Sequence, residues 1–172
     1  IENAEVVTYR DGTLIPQVTA DTEWANLTTG AWCYYNNDPS KGKLYNWYAV
    51  NDSRGLAPVG WHIPTDEEWT TLSNKLNGES VAGGKMKTTG TSKWSVLNTD
   101  ATNESGFSGL PGGFRDRWGA FGNIGDGGKW WTSSLYTFSA NVWYRGLSNS
   151  DAYLSRNTET KGVGFSIRCI KD

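Results

Sequence analysis

His62 is the only histidine in the chain, and Asp66, Glu67 and Glu68 follow it closely in "GWHIPTDEEWTTLSNKLNG" (60–78). An imidazole near three carboxylates is a set that could relay a proton or hold a metal. The spacing favours a simpler use. Thr65 follows Pro64 and precedes Glu68 by three residues, so T-x-x-E forms a capping box, and Asp66 and Glu67 suit the positive end of a helix. Trp69, Leu72 and Leu76 then recur at helical spacing as one apolar stripe, and Gly78 after Asn77 supplies a left-handed stop. His62 falls before this helix, in an extended segment between Trp61 and Ile63. It is therefore expected off the face carrying Glu67 and Glu68, as a hydrogen-bonded structural residue.

Other chemical patterns fail on register or partners. "GFSGL" (106–110) approaches a nucleophile elbow but ends in Leu110 and lacks a histidine partner. "GESVAGGKMKTT" (78–89) resembles a phosphate loop, yet Met86 stands where a hydroxyl must reach a metal, and a helix precedes it instead of a strand. Asn36, Asn37 and Asp38, with Asn123 and Asp126, are hard oxygen ligands in turn-like settings. Neither group has the spaced carboxylates of a one-segment calcium loop, and Asx turns account for both. No cofactor is expected, calcium being the one ion for which ligands are on offer. Glu104 with Asp116 or Asp126 is the carboxylate pairing that would suit glycoside cleavage. N-x-S/T sequences at Asn26, Asn51 and Asn103 are acceptors only in a eukaryotic secretory route, and chance explains them in an Asn- and Thr-rich chain.

The elements that would position these residues follow from composition. Ten Trp, eight Tyr and five Phe accompany 21 Gly and one Met in 172 residues. That mixture disfavours a helical bundle and predicts short strands, little helix and ordered loops pinned by aromatic anchors. The length suits one domain over 1–172. A net charge of −2 without a Lys/Arg block leaves no footprint for nucleic acid or an anionic membrane. No apolar run reaches bilayer length, and the opening at Ile1 reads as a trimmed start. Residues 1–30 read as strand, a turn at "RDGT", and loop. After Gly78 the chain reads as loop in which Trp94, Phe107, Leu110, Phe114, Trp118, Phe121, Trp130 and Trp131 act as anchors. Val142 and Tyr144 in "NVWYRGLS", and Phe165, Ile167 and Cys169 in "GVGFSIRCIKD", alternate as strands do. Cys33 and Cys169 either pair, closing a loop worth about 4–5 kcal/mol in the chain-entropy model, or stand as two buried thiols.

"GKLYNWYAV" (42–50), "GLAPVGWHIPTDEEWTTL" (55–72), "NESGFSGLPGGFRD" (103–116), "WWTSS" (130–134) and "GFSIRCIKD" (164–172) together resemble the Fibrobacter succinogenes major paralogous domain of exported bacterial proteins. That family is similar to the C-type-lectin-like fold of formylglycine-generating enzymes, with "HIPTDEEW" at the helix start and "GFSIRC" in the terminal strand. The resemblance implies an α+β, C-type-lectin-like fold of short antiparallel strands, one or two helices and long ordered loops. The sugar-binding tripeptides of calcium-dependent lectins and the active-site cysteine pair of the formylglycine enzymes are missing, so it implies a scaffold without an activity. Proteins diversified through retroelements use the same fold to present variable residues near the C-terminus, where this chain has "SLYTFSANVWYRGLSNSDAYLSRNT" (134–158). Tyr136, Phe138, Asn141, Trp143, Asn149, Asp151, Tyr153 and Asn157 there mix aromatic area with short polar groups, as adaptable binding surfaces do. Arg117 and Trp118 in "RDRWGAF" are expected to border the same face. The expectation is a non-catalytic, exported or cell-surface module of adhesin or receptor type, a monomeric part of a larger outer-membrane-associated protein that binds a protein or glycan. The alternatives are a polysaccharide-active enzyme and a structural spacer of a surface filament.

Overall fold

The computed structural model describes residues 3–172. The apolar start of the expected first strand, at Ile1 and Glu2, lies outside them. The described elements are mixed α+β. A five-stranded sheet has the order β5–β4–β6–β7–β8, built from β4 (Gly112–Arg115), β5 (Phe121–Ile124), β6 (Gly127–Leu135), β7 (Val142–Ser148) and β8 (Ser155–Glu159). Neighbours are antiparallel except β4 and β6, which run parallel. Two small antiparallel ladders flank it, β1 (Trp32–Tyr34) with β2 (Lys43–Tyr45) and β3 (Trp61–His62) with β9 (Ile170–Lys171).

The capping box forms as the sequence dictates. In α3 (Asp66–Lys75) the Thr65 hydroxyl accepts from the Glu68 N–H, and the Glu68 carboxylate accepts from the Thr65 N–H. Such a cap stabilises by about 1 kcal/mol. At the far end Asn77 takes the left-handed conformation with φ 76°, and Gly78 N–H closes onto the Ser73 carbonyl. Trp69 is buried, with Leu72 and Leu76 packed against its cluster.

Three departures from expectation have physical causes. The stretch after Gly78, read as loop, opens with α4 (Glu79–Met86). Paired glycines are poor helix formers, yet here a Cβ at Gly83 would run into the Tyr153 backbone and one at Gly84 into that of Asp100. The helix has traded propensity for close approach. One-turn helices α1 (Asp21–Ala25) and α2 (Trp47–Val50) also replace expected loop and aromatic run. In residues 3–30 the expected strand is reduced to isolated bridges, Thr8 to Leu14 closing the RDGT turn and Gln17 to Trp32.

The final segment threads the middle of the molecule. Phe165 bridges Tyr45, Gly164 bridges Arg115 and Ser166 bridges Trp130. Phe165, Ile167 and Cys169 enter the largest core cluster on one side, as their alternation predicts. The segment is buried on its other side too, where the Arg168 Nε donates to Asn3. Cys33 and Cys169 are free buried thiols in separate clusters, so the disulfide alternative is set aside. Burial pushes each thiol up to about 11, which makes both poor nucleophiles at neutral pH.

Candidate functional site

The predicted binding residues separate into groups on the five-stranded sheet, because strand register and turn chemistry decide where each side chain goes. Tyr136 and Phe138 occupy the turn joining β6 to β7, and Trp143 lies one residue into β7. The rings form a ladder. Tyr136 meets Phe138 edge-on at 5.5 Å and Trp143 at 5.0 Å, and the Arg156 guanidinium stacks 3.8 Å over the Trp143 ring. Phe138 is 85% exposed. Leaving a phenyl ring in water forgoes roughly 1.5–3 kcal/mol of burial.

Behind the ladder a charged network fixes its inner end. Arg156 is held by both Asp66 carboxylate oxygens, and the same carboxylate accepts from Arg145 at 2.8 Å. Arg145 is fully buried and also donates to Glu79 at 2.8 Å. Asp66 thus does more than favour a helix end. Removing one partner from such a buried set leaves an uncompensated charge, which keeps the network in one arrangement.

Arg117 and Trp118 stand at the turn between β4 and β5, and they adjoin Asn141 instead of the whole predicted face. With Tyr48, Thr160 and Lys161 these residues border a cleft of about 420 Å³. The turn is built rigidly. The Asp116 carboxylate accepts from the Trp118 and Ala120 N–H groups, each at 2.9 Å. Beneath it, fully buried Arg115 donates to the Gly119, Val18 and Thr19 carbonyls and to Asp21, while stacking over Trp24 and Phe121. Trp118 is therefore held out, 65% exposed, on a fixed support.

Asn149, Asp151 and Tyr153 lie at the other end of β7, beside a smaller cleft of about 210 Å³, and their polar groups are already engaged. Asn149 donates to Val96 and Asp126, Asp151 accepts from the Tyr153 N–H, and the Tyr153 hydroxyl donates to Glu79. The Glu79 carboxylate raises the Tyr153 phenol above its usual range. Asn157 is paired with Tyr144, so it lies on the sheet face opposite Trp143 and Arg156. The single binding face expected over 134–158 is thus divided, with Asn157 turned away.

His62 is a hydrogen-bonded structural residue as expected, but its expected separation from Glu68 needs correction. Its Nδ1 is 2.6 Å from Asp172 and its Nε2 is 2.9 Å from Glu68. Glu68 reaches it because the capping box folds that side chain back past the helix start. The Asp172 hydrogen bond, then that of Glu68, raises the imidazole above its usual value. The imidazole ties the C-terminus to α3. Beside it an apolar groove of about 280 Å³ between α3 and β9, lined by Trp69, Leu72, Phe107 and Ile170, carries no residue predicted for binding.

Glu104, Asp116 and Asp126 are engaged separately. Glu104 pairs with Lys85, Asp116 shapes its turn, and Asp126 accepts from Asn149. Asp38 likewise accepts from the Ser40 N–H in an Asx turn. Among the described residues no three His, Cys, Asp or Glu side chains gather as a metal-holding group. Sequence reasoning missed Arg156 and Lys161, whose aromatic partners Trp143 and Trp47 are brought to them only by the fold.

No curated protein and no solved structure matches the chain. The description of the Fibrobacter succinogenes major domain matches residues 1–171, in keeping with the motifs that span the chain from "GKLYNWYAV" to "GFSIRCIKD". The chain belongs to the Fibrobacter succinogenes major domain family.

Proposed function

We propose that this domain is a non-catalytic ligand-binding module, exported or displayed at a cell surface, and that the hairpin between β6 and β7 is its recognition edge. The scaffold fits a C-type-lectin-like fold, in line with its sparse helix, long pinned loops and the motif resemblance. The observation that carries the reading is the ring ladder Phe138–Tyr136–Trp143, backed by stacked Arg156. Trp, Tyr and Arg are the residues that dominate binding energy at interfaces, and they do so when a neighbouring network pre-orients them. The Asp66–Arg145–Glu79 network supplies that support. Separate engagement of Glu104, Asp116 and Asp126 favours binding over carboxylate-pair hydrolysis. The concave neighbour at Trp118 favours a saccharide as ligand over a flat protein surface. Diversification of residues 134–158 among sibling chains belongs to the same reading.

A panel of immobilised neutral and acidic glycans, probed with the wild-type domain and with Phe138→Ala/Trp143→Ala, tests it. Capture of at least one glycan that falls at least tenfold in the folded double variant supports the reading. Equal capture by both proteins, or none by the wild type, contradicts it.

A further inference from the structure

Within the cleft beside Trp118 we infer a subsite for a carboxylate-bearing sugar, a uronic acid unit of an acidic polysaccharide. This rests on the hairpin edge being a binding surface, and it assigns the chemistry of the neighbouring cleft. At about 420 Å³ the cleft lies in the size range of small-molecule sites. Its two ionic residues are both cations, Arg117 and Lys161, and no carboxylate lines it among the described residues. Neither cation has an ion-pair partner there. Arg117 stacks 4.2 Å over Trp118, and Lys161 lies 5.3 Å over Trp47. The Asp116 carboxylate of the same turn is taken up by the Trp118 and Ala120 N–H groups and does not line the cleft, so the charges facing the cleft are the two cations, which favours an acid there.

Three further groups are disposed for a sugar. Trp118 offers an exposed indole plane, the usual apolar partner for the C–H face of a pyranose ring. The Thr160 Oγ1 is buried with no hydrogen-bond partner among the described residues, at the cleft wall. A buried hydroxyl left unpaired costs free energy, about 1–3 kcal/mol, and a ligand hydroxyl recovers it when the Thr160 side chain turns toward the cleft. Asn141 and Tyr48 line the same space, and among the described residues neither side chain makes a hydrogen bond. Glu159, two residues before Lys161, turns its carboxylate back onto the Thr160 N–H. A planar guanidinium edge beside a ring platform matches a carboxylate carried directly on a sugar ring, because Arg engages carboxylates through two parallel N–H bonds.

Calorimetric titration with oligogalacturonate, its methyl ester and a neutral galacto-oligosaccharide of equal length tests the assignment. The variants are Arg117→Gln/Lys161→Gln and Trp118→Ala, with Phe138→Ala as the hairpin control and unfolding temperature as the check on folding. The expected result is binding of the free acid at least tenfold tighter than of ester or neutral chain, weakened by added salt. It is lost in both cleft variants at unchanged unfolding temperature. Equal binding of acid and ester overturns the carboxylate assignment while leaving the binding surface in place. Binding that survives both cleft variants but fails in Phe138→Ala overturns the cleft and keeps the hairpin. Binding of none of the three probes overturns the inference. Should both cleft variants fold poorly, the acid-to-ester ratio of the wild type decides alone.

Discussion

The two ends of β7 have similar composition and opposite fates. At the hairpin end, Tyr136, Phe138 and Trp143 touch mainly one another and a stacked Arg156, and Phe138 keeps most of its ring in solvent. At the other end, Asn149, Asp151 and Tyr153 have their polar groups already partnered, although Tyr153 stays 43% exposed. The Leu154 side chain is fully buried, the Ala152 and Tyr153 backbone lies on the glycines of α4, and the carbonyls of Ser148 and Asp151 accept from buried Lys87. Aromatic and short polar residues can build either a surface or a brace. Whether their polar groups already have partners decides which.

The largest break in this contrast should come from Lys87. Its ammonium is fully buried and donates to the Thr99, Ser148 and Asp151 carbonyls at 2.7–2.8 Å, while burial lowers its affinity for the proton. Lys87→Met removes the donor from three inward carbonyls and should cost about 3–5 kcal/mol in denaturant unfolding. A loss under about 1 kcal/mol would mean the loop end is not braced there.

Gly83→Ala comes next, since its new methyl group meets the Tyr153 carbonyl rather than a side chain that can swing away. A cost of roughly 1–3 kcal/mol is expected. Stabilisation by the alanine, as intrinsic propensity alone would give, would show that α4 and the 152–153 backbone do not touch.

The smallest effect concerns pH and His62. The folded imidazole is raised above its unfolded value by Asp172 and Glu68, so its contribution is full below about pH 6.5 and fades as pH rises through the raised value. Glu68 moves the other way. Burial raises its carboxyl, but hydrogen bonds from Thr65 and His62 together outweigh that and lower it, so its contribution is lost as pH falls below the usual carboxylate range. Stability should peak on the mildly acidic side, by less than about 1 kcal/mol because both groups are screened by solvent. His62→Gln should flatten the basic limb of that peak, and an unchanged profile would dissociate the C-terminus from α3.

Local signals made part of this legible. Thr65 to Glu68 is a contiguous code, and so are the Asn77–Gly78 stop and the strand alternation at Val142 and Tyr144. What stayed hidden depends on distant partners. The glycines of α4 read as loop because their reasons lie at distant backbone, Tyr153 for Gly83 and Asp100 for Gly84, and Arg115, Arg145 and Lys87 look like surface cations until their carbonyls and carboxylates are placed. Trp94 and Trp118 each follow a basic residue in sequence. One is buried with its indole N–H on the Gly109 carbonyl, and the other is held out by the Asp116 turn. The predicted face was divided for the same reason, since alternation assigns Asn157 a side only once β8 is registered against β7.

The central claim is that recognition and bracing occupy opposite ends of one strand. An alanine scan from Tyr136 to Thr158, read at each position by both unfolding temperature and capture on the glycan panel, tests it directly. The account predicts that Tyr136, Phe138 and Trp143 lose capture with little change in unfolding temperature, while substitutions from Asn149 to Leu154 lower the unfolding temperature and spare capture in the folded fraction. Loss of capture concentrated at Asn149 to Leu154, with the hairpin positions silent, would contradict it.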